Sequence, residues 1–261
     1  MKDRFGLTTS SVILALLMAT ASVAGLLYSA IIYPTAELRR WMVANDAVNL
    51  VVGVPLLLGS LRLARRGRLL GLLSWPGALF YVMYVYLAYL LSVPFGAAFL
   101  PYLLIFSLST YTLISLMASL DGEAVRQKLT GRVPARLFAA IFLGLGGLIL
   151  AREVALIMIA LGSHAAVDGQ QLAQWIDDFT LACPALLIVG AALWQRRALG
   201  YLAGPGLFLQ YGVLSIGLIP GMASASPPDA GGMIVALVMA VICLVPFAWF
   251  VRASANTVVP D

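Results

Sequence analysis

The chain has 261 residues, 62 % of them hydrophobic and only 10 % charged, with a mean hydropathy of +1.00. A soluble domain needs about 25 % charged residues to solvate its surface, so a soluble enzyme, a disordered chain and a secreted disulfide scaffold are all excluded. The net charge of +5 comes from 16 basic and 11 acidic residues, and the basic ones gather in short loops, a sign of membrane topology and not of nucleic-acid binding.

A helix needs about 20 mostly apolar residues to cross about 30 Å of hydrocarbon. Eight runs meet that requirement, at 11–32, 46–63, 70–91, 98–120, 136–161, 172–194, 201–220 and 232–251. They are continuous and do not alternate, which argues against barrel strands. The expected fold is an all-α integral membrane protein with eight transmembrane helices and no attached soluble domain, its solvent being the lipid bilayer. The first run could be a cleaved signal peptide, but it continues through "LLYSAIIY" beyond the length of an h-region, so it is read as a retained span.

Loop charges set the orientation. With the N-terminus inside, thirteen basic residues fall on the cytoplasmic side, in clusters such as Arg62–Arg68 and Arg126–Arg136, against Arg39 and Arg40 outside. Both termini are therefore expected in the cytoplasm, with the protein in the cell membrane.

A shift of 129 residues aligns "VPLLLGSLRLARRGRLLGLLSWPG" (54–77) with "CPALLIVGAALWQRRALGYLAGPG" (183–206) without gaps. Pro55 meets Pro184, Arg68 meets Arg197, Gly71 meets Gly200, and Pro76-Gly77 meets Pro205-Gly206. Leucine matches are common in lipid-facing sequence, but matched prolines, glycines and an arginine are not. The chain is read as a tandem parallel 4+4 repeat, with a first four-helix unit over 1–130 and a second over 131–261. Four spans return a chain to its starting side, so such halves would be related by a two-fold axis along the membrane normal. Each proline removes an N–H and displaces a carbonyl four residues back. Pro55, Pro184, Pro76 and Pro205 are accordingly hinge candidates, with carbonyls freed near Val51, Thr180, Leu72 and Tyr201.

A charge in hydrocarbon costs several kcal/mol unless it is paired or wet, which makes it a functional candidate. Arg152 and Glu153 lie deep in the fifth run. As sequence neighbours they point about 100° apart on a helix, so each is expected to find its partner elsewhere. Asp177 and Asp178, at the start of the sixth run, are the nearest candidates, and an Arg152–Asp178 ion pair is expected. Asp46 and Asn49 open the second run, and Asn49 is the 129-residue counterpart of Asp178. These six residues are the candidates for substrate binding or coupling. Alternatively, the charged pair only fixes helix register, and Asp46 and Asp177 sit solvated at the headgroups. Among the tyrosines of the third run, Tyr86 and Tyr89 are expected in an interfacial belt, while Tyr81 and Tyr84 share a deeper face.

Other chemistry is not signalled. The only lysines, Lys2 and Lys128, lie outside the spans, so no retinal Schiff base forms. The single histidine, His164, excludes bis-histidine haem and HExxH zinc sites. Cys183 and Cys243 lie in apolar runs and suggest neither a disulfide nor a metal. "DGEAVR" (121–126) resembles the start of a lipid phosphotransferase motif, but the alanine is displaced and the following aspartates are absent. No P-loop or dinucleotide fingerprint is present, and no cofactor or metal is expected. The functional reading is a permease for a small solute or lipid, with a polar site around Arg152 and Glu153. The alternatives are a non-catalytic membrane subunit or sensor, and a lipid- or quinone-acting membrane enzyme. Small-residue stretches such as "GLGGL" (144–148) would let helices approach closely, in a homo-oligomer or with another membrane protein.

Overall fold

The computed structural model describes residues 2–164 and 166–254, with side chains from Gly6 onward; the basic side chains of Lys2 and Arg4 lie outside that set. Among the described residues every regular element is helical. Eight helices are long and apolar enough to cross a membrane: Gly6–Leu27, Ala36–Arg65, Leu69–Ser92, Phe99–Ser119, Ala135–Ser163, Gly169–Trp194, Ala198–Ala223 and Ala230–Ser254. The protein is thus a multi-pass helical membrane protein in architecture.

The elements are α1 (Lys2–Leu27), α2 (Ser29–Ile32), α3 (Ala36–Val48), α4 (Val54–Arg65), α5 (Leu69–Ser92), α6 (Phe99–Ser119), α7 (Gly122–Leu129), α8 (Ala135–Ser163), α9 (Gly169–Asp177), α10 (Cys183–Trp194), α11 (Ala198–Ala223) and α12 (Ala230–Ser254). The second span starts ten residues earlier than its apolar run. Thr35 caps α3 by accepting from the Leu38 N–H at 3.2 Å, and Leu38 and Met42 are buried. One buried face and a cap carry the helix through a polar stretch that hydropathy alone reads as loop. Asp168 does the same for α9, accepting from the Gln171 N–H at 2.8 Å.

Two short π-helical segments join these pieces. Asn49–Gly53 links α3 to α4, and Asp178–Ala182 links α9 to α10. At their ends the Val54 N–H donates to the Asn49 carbonyl and the Cys183 N–H to the Asp178 carbonyl, five residues back. Pro55 and Pro184 follow at once. A proline has no N–H to continue the ordinary ladder, and the wider turn is the local answer to that gap. Pro76 and Pro205, by contrast, sit inside uninterrupted helices.

Helix α5 lies at the centre, against α4, α6, α9 and α11. Helix α11 packs on α5, α10, α12, α7 and α3. Where α5 and α11 meet, a side chain on Gly77 would collide with the Gly206 backbone, and one on Gly206 with Gly77. Only hydrogen at both positions permits this approach. Two apolar clusters flank the meeting point. One gathers Leu14, Met18, Leu57, Leu79 and Tyr86; the other is built on Phe138, Phe142, Phe208 and Phe250, with Phe142 stacked on Phe208 at 4.0 Å. Leu69, Leu73 and Phe80 of α5 belong to the second cluster, so the central helix serves both. Helix α8 is peripheral. It packs on α10 and the adjoining π segment and exposes Leu148, Met158 and Ile159, as a lipid-facing helix would.

Candidate functional site

Two buried acidic sites are present, both bonded to tyrosines of α5. In the first, α3 carries Asp46 inward, 1 % exposed. Its Oδ2 accepts from the Tyr33 hydroxyl at 2.7 Å and its Oδ1 from the Tyr89 hydroxyl at 3.0 Å. Tyr102 backs this cage, its hydroxyl 3.2 Å from that of Tyr33. Tyr33 lies in the short turn before α3, and burial followed by the Asp46 charge pushes its phenol well above the ordinary value. It is therefore a permanent donor to the carboxyl. No cation is paired with Asp46 among the described residues.

Tyr86 and Tyr89 do not form an interfacial belt. They are 0 % and 1 % exposed, stacked at 5.4 Å, and packed against Tyr102. The sequence expectation fails because α5 faces protein almost all round, so its tyrosines meet helices and not headgroups. One turn inward, Tyr81 donates to Asn49 Oδ1 at 2.9 Å. Asn49 is fully buried, and its Nδ2 has no hydrogen-bond partner among the described residues.

The second site gathers Arg152 and Glu153 of α8, Asp177 of α9, Asp178 of the π segment, Tyr84 of α5 and Tyr211 of α11. Contrary to the expectation of divergent neighbours, the Arg152 Nη1 bonds the Glu153 carboxylate directly. A long guanidinium stem can curl over the next residue where a shorter chain could not. The pair is lopsided, for the Arg152 side chain is 55 % exposed and that of Glu153 fully buried. The expected Arg152–Asp178 ion pair does not form within bridging distance; Asp178 instead accepts from the Tyr84 hydroxyl at 3.1 Å and lies beside the Glu153 carboxyl.

Asp177 and Asp178 are 1 % and 7 % exposed, so Asp177 is not solvated at the headgroups, and neither is Asp46. The second oxygen of Glu153, Oδ1 of Asp177, the Tyr211 hydroxyl and both polar atoms of Gln210 have no hydrogen-bond partner among the described residues. Among the described residues, the three carboxyls thus receive one arginine bond, at Glu153, and one phenol bond, at Asp178. No group of histidine, cysteine and acidic side chains able to hold a metal ion occurs among the described residues.

All six candidates are in the buried layer or at its edge, but they divide between two places: Asp46 and Asn49 in one, Arg152, Glu153, Asp177 and Asp178 in the other. Tyr33, Tyr102, Tyr211 and Gln210 were not foreseen. Gln210 was findable, since an uncharged amide within a hydrophobic run is itself a signal. Tyr33 was not, because nothing local distinguishes it from a loop tyrosine. No family model, curated protein or solved structure matches the chain.

Proposed function

We propose that the protein is a proton-coupled permease of the cell membrane, termini inside, built as a tandem 4+4 repeat. Residues 1–130 and 131–261 would be its two halves, and the Glu153–Asp178 cluster would carry the coupling proton. The boundaries of the elements support the duplication. Offset by 129 residues, the π segment at Asn49–Gly53 falls on Asp178–Ala182, α4 on α10, the start of α5 on that of α11, and Gly77 on Gly206. Two halves in parallel orientation would meet at a two-fold axis through this glycine pair, with α5 and α11 as the exchanged central helices.

The observation that carries the coupling role is the unequal satisfaction of the two acidic sites. Facing carboxyls in a low-dielectric interior bond to each other only through a shared proton. Asp178 lies beside Glu153 with one phenol donor, and Glu153 Oε2 and Asp177 Oδ1 have no partner among the described residues, whereas Asp46 has its donors in place. The π turns at Asn49 and Asp178 give each half a segment whose ladder can be redrawn, as such turns do at functional sites. Arg152, half out of the cluster, would hold one carboxylate ionised while the others exchange protons.

The test is proton flux into liposomes holding a pH-sensitive dye, with the membrane potential clamped by potassium and valinomycin. Wild type is expected to dissipate an imposed gradient faster than protein-free vesicles, and Glu153→Gln to lose most of that rate. Equal rates for Glu153→Gln and wild type would remove the coupling role, and a wild type no faster than empty vesicles would remove the permease. In that case the second reading, a non-catalytic subunit, takes over. Its support is the Gly77–Gly206 contact, which closes the centre backbone to backbone.

A further inference from the structure

The loop between α10 and α11 holds an arginine where its backbone favours glycine. Arg196 has φ 55°, in the left-handed region that L side chains rarely adopt. At the position 129 residues earlier, between α4 and α5, the same turn is made by Gly67 at φ 68°. Glycine adopts this geometry freely, and a side chain kept at a strained position points to a use for that side chain.

The surroundings indicate the use. Arg196 and Arg136 line one pocket of about 280 Å³, together with Thr130, Gly131, Leu137 and Tyr201. Neither arginine is paired with an acidic side chain among the described residues. The pocket is lined by Ala135, Arg136 and Leu137 at the N-terminus of α8, a 29-residue helix with no side-chain cap; the Ala135 N–H is taken by the Val133 carbonyl at 2.9 Å, and the positive end of the helix dipole lies at this end. The connecting segment is anchored by the Trp249 indole, which donates to the Arg132 carbonyl at 3.1 Å. Leu137, 59 % exposed, continues the pocket onto the apolar outer face of α8. Two unpaired arginines, a helix N-terminus and an apolar exit match a phosphate group carrying acyl chains.

We propose that this pocket binds the phosphate headgroup of an anionic membrane lipid, with Arg136 and Arg196 holding the phosphate and Leu137 guiding an acyl chain. The site is independent of the proposed coupling cluster and stands or falls without it.

Arg196→Gly makes the test decisive, because it removes the guanidinium while relieving the backbone and so should not compromise folding. Detergent-purified wild type, Arg196→Gly and Arg136→Ala would be melted with added phosphatidylglycerol, phosphatidylcholine or inorganic phosphate. Lipids retained by each would be counted by native mass spectrometry. Phosphatidylglycerol is expected to raise the wild-type melting temperature and to be retained. Both variants should lose that shift and show at least a several-fold drop in retained anionic lipid, while phosphatidylcholine has no comparable effect. A wild-type shift by inorganic phosphate equal to that by phosphatidylglycerol would overturn the lipid assignment in favour of a soluble anion. Equal retention in wild type and both variants would overturn the site itself.

Discussion

The two buried acidic sites solve the same physical problem in opposite ways. Asp46 sits in a cage of neutral donors, each of its oxygens bonded to a tyrosine hydroxyl. Among Glu153, Asp177 and Asp178, a half-exposed arginine reaches Glu153 and one phenol reaches Asp178, leaving buried oxygens without donors among the described residues. A satisfied carboxyl fixes the helices that supply its donors. An under-satisfied cluster stores unmet hydrogen-bonding demand, and that demand is what a changing proton or ligand can answer. The contrast sets the Asp46 site apart as a rigid frame and the Glu153 site as the candidate working part of the proposed permease.

The largest effect tests the close contact between α5 and α11. A β-carbon at Gly77 or Gly206 would meet backbone atoms and no flexible side chain, so neither neighbour can swing away. Gly77→Ala and Gly206→Ala are each expected to cost about 3 kcal/mol or more, the upper range for single substitutions, read as lost melting temperature in detergent. Gly147→Ala is the contrast, since nothing lies within 4 Å of its added carbon, and it should be near neutral or slightly stabilising. A harmless Gly206→Ala would mean that α5 and α11 are not locked there.

The next effect separates the sites by sign. Asp46→Ala removes two buried hydrogen bonds, leaving the Tyr33 hydroxyl only Tyr102 and that of Tyr89 only the Met42 carbonyl at 3.3 Å, so a loss of about 1–3 kcal/mol is expected. Asp177→Asn removes a carboxyl with an unbonded buried oxygen and no arginine of its own, so its effect on stability should be neutral or favourable. Equal losses from the two substitutions, measured by denaturant titration in the same detergent, would erase the distinction between frame and working part.

Much of this was readable from sequence, because membrane spans announce themselves by length and apolarity. All eight are legible there, and Glu153, Asp178 and Asn49 stand out as polar positions within or beside apolar runs, whereas Asp46 and Asp177 read equally well as headgroup residues. What could not be read was which way each helix faces. Lipid is as apolar as a protein core, so a helix turned to lipid and one turned to protein look alike in hydropathy. Tyr86 and Tyr89 were assigned to the membrane interface for that reason, though α5 is the most enclosed span. The starts of α3 and α9 were missed because capping by Thr35 and Asp168 carries helix into polar sequence. The Arg152–Glu153 bond was missed because backbone direction was allowed to stand for the reach of a long side chain.

The smallest effect concerns the hydrogen bond that ties the frame to the working part. Tyr84 projects from α5 and donates to Asp178 at 3.1 Å, whereas Tyr81, three residues earlier, donates to Asn49 at 2.9 Å. Tyr84→Phe keeps the ring and deletes only the hydroxyl, so its cost in stability should be about 1 kcal/mol. Tyr81→Phe should cost a similar amount. The two differ in what they leave behind. Without Tyr84, Asp178 loses its only phenol donor among the described residues, so under the proposed coupling role proton flux should fall or shift its pH dependence in Tyr84→Phe while Tyr81→Phe keeps the wild-type profile. If both variants moved the flux profile equally, the two acidic sites would be working as one, and the division drawn between them would be wrong.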